Sequence, residues 1–263
     1  MRNRSSYYVL LCIVTCTRGV WSTILNYNKI SGSSDARIEN FPFNAFLHLY
    51  GGHQTSYCGG SIVSTKSVVT SARCLYGVKR VKVSIGSTYR NKEASLFGGG
   101  YEYLTTSFST HPRYNYNTGD VDVGVVNVDG GMQLDGEKSR IIRLPGSTSD
   151  ATEGEVLTIT GWGSLENTRS TERNLSLQMS KVSVITRKEC RMKTHGISTR
   201  MFCATGGSNI CTMDYGSPAI GQQFVLTGIT SHSANCSDTS MPGVYTRIGQ
   251  SMIRRYLRMQ TGV

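Results

Sequence analysis

The chain has 263 residues with 29 glycines, 5 prolines and 38% hydrophobic residues, which suits one or two cored domains and excludes a disordered chain. Its formal net charge of +11 is spread over scattered lysines and arginines with no block of five or more, so a generally basic surface is expected and a nucleic-acid partner is not. No stretch is long and apolar enough to span a bilayer.

From the start of the chain, Met1-Arg2-Asn3-Arg4 is a positive n-region, Tyr7 to Val14 a short apolar core, and Thr17, Gly19 and Ser22 are small residues suited to cleavage. Residues 1–22 are therefore expected to be a signal peptide, and the mature protein secreted and extracellular. Of eight cysteines, Cys12 and Cys16 fall in that segment, leaving Cys58, Cys74, Cys190, Cys203, Cys211 and Cys236. An even number in an oxidising compartment implies three disulfides, but spacing alone leaves fifteen pairings open. None of the six has Cys-x-x-Cys spacing, so no metal and no cofactor are expected.

The body is expected to be β. Short β-branched runs occur at Ser61–Thr70, Val81–Ile85, Val121–Val128, Val156–Thr160, Val182–Thr186 and Phe224–Thr230, separated by Gly, Ser, Asn and Pro clusters. Such spacing argues for a sandwich or barrel. Near the end the period changes. Ile248, Met252, Ile253, Tyr256 and Leu257 fall on one helical face and Arg254, Arg255 and Arg258 on others, which predicts an amphipathic helix over Ile248–Met259 docked on its own barrel. The basic helix face is expected to be solvated.

A series of landmarks, read in order, resembles the trypsin/chymotrypsin serine-protease family from Lys29 onward. Lys29-Ile30-Ser31-Gly32 resembles the activation junction, and Cys58-Gly59-Gly60-Ser61 the Cys-Gly-Gly-Ser turn. Thr70-Ser71-Ala72-Arg73-Cys74 stands where the family has Thr-Ala-Ala-His-Cys. Asp120-Val121-Asp122-Val123-Gly124-Val125 resembles Asn-Asp-Ile-Ala-Leu. Gly161-Trp162-Gly163, Cys211-Thr212-Met213-Asp214-Tyr215-Gly216-Ser217-Pro218 and Pro242-Gly243-Val244-Tyr245-Thr246 complete the set. The resemblance implies an all-β fold, a trypsin-like double Greek-key β-barrel with a C-terminal α-helix. It implies a propeptide over 23–29, an N-terminal barrel over 30–138, and a C-terminal barrel with the terminal helix over 139–263. It also implies the disulfides Cys58–Cys74, Cys190–Cys203 and Cys211–Cys236, and a monomer.

The same alignment removes the family's chemistry. The general base position is Arg73, and a guanidinium with a pKa above ~12 has no lone pair to accept a proton. The nucleophile position is Tyr215, a phenol with a pKa near ~10 and no adjacent base. Asp122 alone matches the triad, and an ion pair with Arg73 is expected in place of the imidazole contact. Met213 replaces the glycine whose backbone turns an N–H into the oxyanion hole, so the hole is not expected to form. Asn209 and Ile210 stand where trypsin has an acidic pocket base. Ser231, His232, Ser233 and Gly243 line the former pocket, with Ser233 narrowing its entrance and the Tyr215 ring obstructing it. His232 is the one histidine placed near the old site. Lys29-Ile30 is cleavable and Asp214 is present to receive the new amine, although Ser31 and Ser33 weaken the apolar insertion. The stretch matching the family's calcium loop, Gly86–Ser95, lacks the paired acids calcium requires. Asn174-Leu175-Ser176 is a glycosylation sequon, occupied or unused.

Three functions follow from these readings: a non-catalytic binding protein on a protease scaffold, a hydrolase with a rearranged site, or a basic factor that recognises anionic surfaces. The first fits the joint loss at positions 73, 213 and 215. Val184 to Cys190 and the tail Pro-Gly-Val-Tyr-Thr-Arg-Ile-Gly also resemble mite group 3 allergen proteases. Within that group the altered triad resembles the scabies mite inactivated serine protease paralogues, a resemblance that implies host complement proteins as partners.

Overall fold

The computed structural model describes residues 34–51, 54–90, 100–146, 151–163, 176–206, 215–232 and 241–263. The expected signal peptide, the propeptide and the Lys29-Ile30 junction lie outside the described residues.

Among the described residues fourteen strands pair into two sheets, accompanied by three α-helices, α1 (Ala72–Leu75), α2 (Arg187–Lys193) and α3 (Ser251–Thr261). The first contains β2 (Asn44–Gly51), β3 (Gln54–Ile62), β4 (Ser67–Thr70), β5 (Arg80–Ile85), β6 (Tyr101–Thr105), β7 (Phe108–Thr110) and β8 (Gly124–Asn127), in the order β6-β5-β2-β3-β4-β8-β7. It curls without pairing its two edges. The second contains β9 (Val156–Gly161), β10 (Gln178–Val184), β11 (Met201–Thr205), β12 (Pro218–Ile220), β13 (Leu226–His232) and β14 (Gly243–Arg247). Here β9 pairs with both β12 and β10, so six strands close into a barrel, and β1 (Ser34–Asp35) adds to β10. This all-β double barrel with a terminal helix is the expected fold class.

Period-2 patterning drives the strands. In β5, Val81, Val83 and Ile85 are buried while Arg80 is exposed, and in β10 Val182 and Val184 point inward while Lys181 and Ser183 point out. Three sequence expectations are corrected. Ser61–Thr70 is a hairpin, because the Val63 N–H donates to Ser67 O and turns the chain between β3 and β4. Val121–Val123 is not strand: Val121 has φ 58°, a left-handed conformation costly for a β-branched residue. The terminal helix α3 spans Ser251–Thr261, not Ile248–Met259, because the Gln250 side chain accepts from the Met252 N–H and caps it there, and Gly262 ends it at φ 77°.

The largest apolar cluster lies between the two sheets. It joins Phe46, Val69 and Val125 from the first to Trp162, Ile220 and Ile229 from the second, and takes in Ile253, Tyr256 and Leu257 of α3. The helix docks on the first sheet, where Tyr256 Oη donates to Ser109 O at 3.0 Å. Two disulfides are present among the described residues, Cys58–Cys74 and Cys190–Cys203; Cys211 and Cys236 lie outside them.

Candidate functional site: the Asp122 junction

The site forms where the two sheets meet. After β4 the chain enters a one-turn helix, α1 (Ala72–Leu75), capped by Ser71 Oγ accepting from the Cys74 N–H at 3.3 Å. The Cys58–Cys74 bond fastens this turn to β3 and fixes the Cα of Arg73.

Asp122 is fully buried. The Arg73 N–H donates to its Oδ1 at 2.8 Å, and Ser231 Oγ, at the end of β13, donates to its Oδ2 at 2.7 Å. Thr246 Oγ1 of β14 donates to the Asp122 carbonyl at 2.9 Å. One acid thereby ties α1 of the first half to two strands of the second. Burial pushes the Asp122 carboxyl up to about 6, against the opposing pull of the Arg73 and Ser231 hydrogen bonds and the Arg73 charge.

The preceding residue but one, Asp120, strengthens the same junction. Arg200 grips it through Nε, at 2.9 Å to Oδ1, and through Nη2 to Oδ2, and Ser198 Oγ donates to Oδ1 at 2.6 Å. Burial pushes Asp120 up, but these hydrogen bonds and the Arg200 charge outweigh it and leave the carboxyl below its usual range.

The expected ion pair between Asp122 and Arg73 is not formed. Only the Arg73 backbone touches the acid, because a side chain leaving α1 projects away from a carboxylate that its own N–H already holds. The guanidinium lies instead over two rings, 5.4 Å from the Tyr116 centroid and 5.9 Å from that of Tyr215. Tyr76 leans on Tyr116 with centroids 4.9 Å apart, and both rings are exposed.

Tyr215 is half-buried and packs against the core cluster of the first sheet; its carbonyl accepts from the Gly59 N–H at 2.8 Å. Next to it, Gly216 adopts φ 82°, and a Cβ there would meet Thr70 Oγ1 at 2.1 Å and Gly59 O at 2.5 Å. His232 sits close by: its ring packs against Gly119, and burial and the Arg73 charge push its pKa down. Three buried polar atoms here have no hydrogen-bond partner among the described residues: Arg73 Nε, Tyr114 Oη and His232 Nδ1.

The structure therefore brings together Arg73, Asp122, Tyr215, Ser231 and His232, with Gly243 opening β14 opposite Ala204. Asn209, Ile210, Met213, Asp214 and Ser233 lie outside the described residues, as does Asn174. Sequence reasoning missed Tyr76, Tyr114 and Tyr116. The Tyr114-Asn115-Tyr116 run ahead of Asp122 was the available signal, but no local pattern states that it faces a residue some forty positions earlier. Among the described residues no group of three metal-binding side chains occurs.

A sequence model described as Trypsin matches residues 30–253, and the chain belongs to the trypsin-like serine protease family. It is 30% identical over 253 residues to Trypsin delta of Drosophila melanogaster, covering 92% of this chain and 94% of that protein. It is 31% identical over 260 residues to Trypsin Blo t 3 of Blomia tropicalis, covering 92% and 94%. The crystal structure of scabies mite inactivated protease paralogue S-D1 superposes with a TM-score of 0.75 at 26% identity, over 89% of this chain and 99% of that one.

Proposed function

We propose that this chain is a secreted trypsin-family protein that binds a protein partner without hydrolysing it. The observation that carries this reading is the environment of position 73. The residue in the place of the family's base is a guanidinium between two tyrosine rings, and both oxygens of Asp122 are committed to a backbone N–H and a serine hydroxyl. Position 73 thus offers no proton acceptor for a hydroxyl nucleophile, and the residue in the nucleophile's place is a tyrosine. His232 is the remaining imidazole nearby, with no serine, threonine or cysteine nucleophile assigned for it to activate.

The partner class we propose is host defence protein, complement components first, following the resemblance to the scabies mite inactivated paralogues. Retention of the fold with altered chemistry favours loops and cleft rim as the working surface.

The test is twofold. A fluorophosphonate probe should leave the folded, secreted protein unlabelled, and labelling would overturn the non-catalytic reading. Added to serum, the protein should lower classical-pathway haemolysis; unchanged lysis at every concentration would remove complement as the partner class.

A further inference from the structure

We propose that the altered cleft holds a carboxylate-reading subsite, in which the Arg73 guanidinium, with the Tyr114 hydroxyl and the His232 imidazole beside it, receives the side chain of an Asp or Glu on the protein partner. This rests on the non-catalytic binding reading above.

Three observations carry it. First, Arg73 Nε, Tyr114 Oη and His232 Nδ1 are buried and unbonded among the described residues, and each such atom is unfavourable until something satisfies it. Second, one loop connects them: the Arg73 guanidinium lies over the ring of Tyr116, two residues from Tyr114, and the His232 ring lies against Gly119 of the same loop. Third, Arg73 is pre-organised. Aromatic faces at Tyr116 and Tyr215 hold the guanidinium, and its in-plane N–H edge is the part suited to a two-point contact with a carboxylate.

The donors choose the ligand. Arg73 and the tyrosine hydroxyl supply N–H and O–H groups, so the ligand must accept. One formal cation faces it, with the Asp122 carboxylate behind, so a monoanion matches the charge better than a dianionic phosphate. Asp122 does not compete, since its oxygens are already bonded to the Arg73 N–H and Ser231. The exposed rings of Tyr76 and Tyr116 form a ledge for the residues flanking the acid.

The experiment is an NMR titration of the full secreted protein, labelled with 13C at histidine, with N-acetyl-glutamate methylamide; N-acetyl-glutamine methylamide is the control. The His232 signal, identified by its loss in His232→Gln, should move saturably with the glutamate probe in the millimolar range, on the order of 1–10 mM for a single side-chain contact. Arg73→Gln should weaken binding at least about tenfold and the near-isosteric Tyr114→Phe a few-fold. No saturable shift, an equal shift with the glutamine probe, or undiminished binding in Tyr114→Phe together with any folded Arg73→Gln would overturn the proposal. If Arg73→Gln fails to fold, Tyr114→Phe decides alone. Fluorophosphonate labelling on the same preparation reports separately on the non-catalytic reading.

Discussion

Arg73 and Asp122 are joined through the backbone: the Arg73 N–H reaches Oδ1 at 2.8 Å while its guanidinium turns to the rings of Tyr116 and Tyr215. A substitution at position 73 therefore leaves the acid's main hydrogen bond in place, because any residue but proline supplies that N–H.

On the proposed assignment of positions 73, 215 and 213 to base, nucleophile and oxyanion glycine, repair of the base alone is expected to fail. Arg73→His should fold and should show no fluorophosphonate labelling, because position 215 still carries a phenol. Arg73→His with Tyr215→Ser supplies an imidazole and a hydroxyl at the two proposed positions but keeps Met213, and its acylation should remain roughly 10²–10³-fold below the same variant carrying Met213→Gly. Labelling rates across the three proteins check this; labelling of the single variant would contradict it.

Asp122 should give an unusual pH dependence. Its folded-state pKa, about 6, lies above its ordinary value of 3.8, so the folded protein holds a proton that the unfolded chain has released between about pH 4 and 6. Stability from this group is thus full at low pH and is lost as pH rises through 6, by about 3 kcal/mol. Asp122→Asn keeps an acceptor for the Arg73 N–H and can donate to Ser231, so it should remove this slope. Melting temperatures of both proteins at pH 4 and pH 7 should diverge in favour of the variant at pH 7. The partnered carboxylates work in the opposite sense, which is why the difference between the two proteins is the quantity to measure.

The Asp120–Arg200 pair is one of those. Its stabilisation is present above pH 4 and fades as pH falls through the lowered folded-state value. The pair is partly exposed, with side-chain exposures of 19% for Asp120 and 30% for Arg200, so screening limits it. Arg200→Ala should cost about 1–2 kcal/mol, or about 2–4 °C in Tm. A double-mutant cycle with Asp120→Ala should recover most of that as coupling energy; additivity of the two changes would show that the pair contributes nothing.

Gly216→Ala should be far more damaging. A methyl group there would sit 2.1 Å from Thr70 Oγ1 and 2.5 Å from Gly59 O, and φ 82° is strained for alanine besides. The expected loss exceeds about 4 kcal/mol, enough to suppress secretion of folded protein. Secretion yield and chemical denaturation decide it, and a stable, well-secreted variant would refute the geometry.

The sequence was legible where a local rule applies. Alternation in Val81–Ile85 predicted β5, and the 3.6-residue spacing of Ile253, Tyr256 and Leu257 predicted the buried face of α3. It was less legible where the backbone departs from period. Val121 sits in a run of valines that looks like strand, and its left-handed φ is imposed by the turn that delivers Asp122 between the sheets. Ser61–Thr70 likewise hides a hairpin, because the turn residues Ser64-Thr65-Lys66 carry no glycine or proline.

The sequence by itself determined that position 73 carries a permanent cation and position 215 a phenol, since these are covalent facts that no folding can alter. Only the tertiary structure decided what those groups meet. Arg73 could have paired with Asp122, and charge alone favoured it. The one-turn helix gives the backbone N–H to that acid and leaves the side chain to tyrosines some forty and one hundred and forty residues away. Contacts of that range are settled by how two sheets close on each other, and short-range sequence patterns carry no record of it.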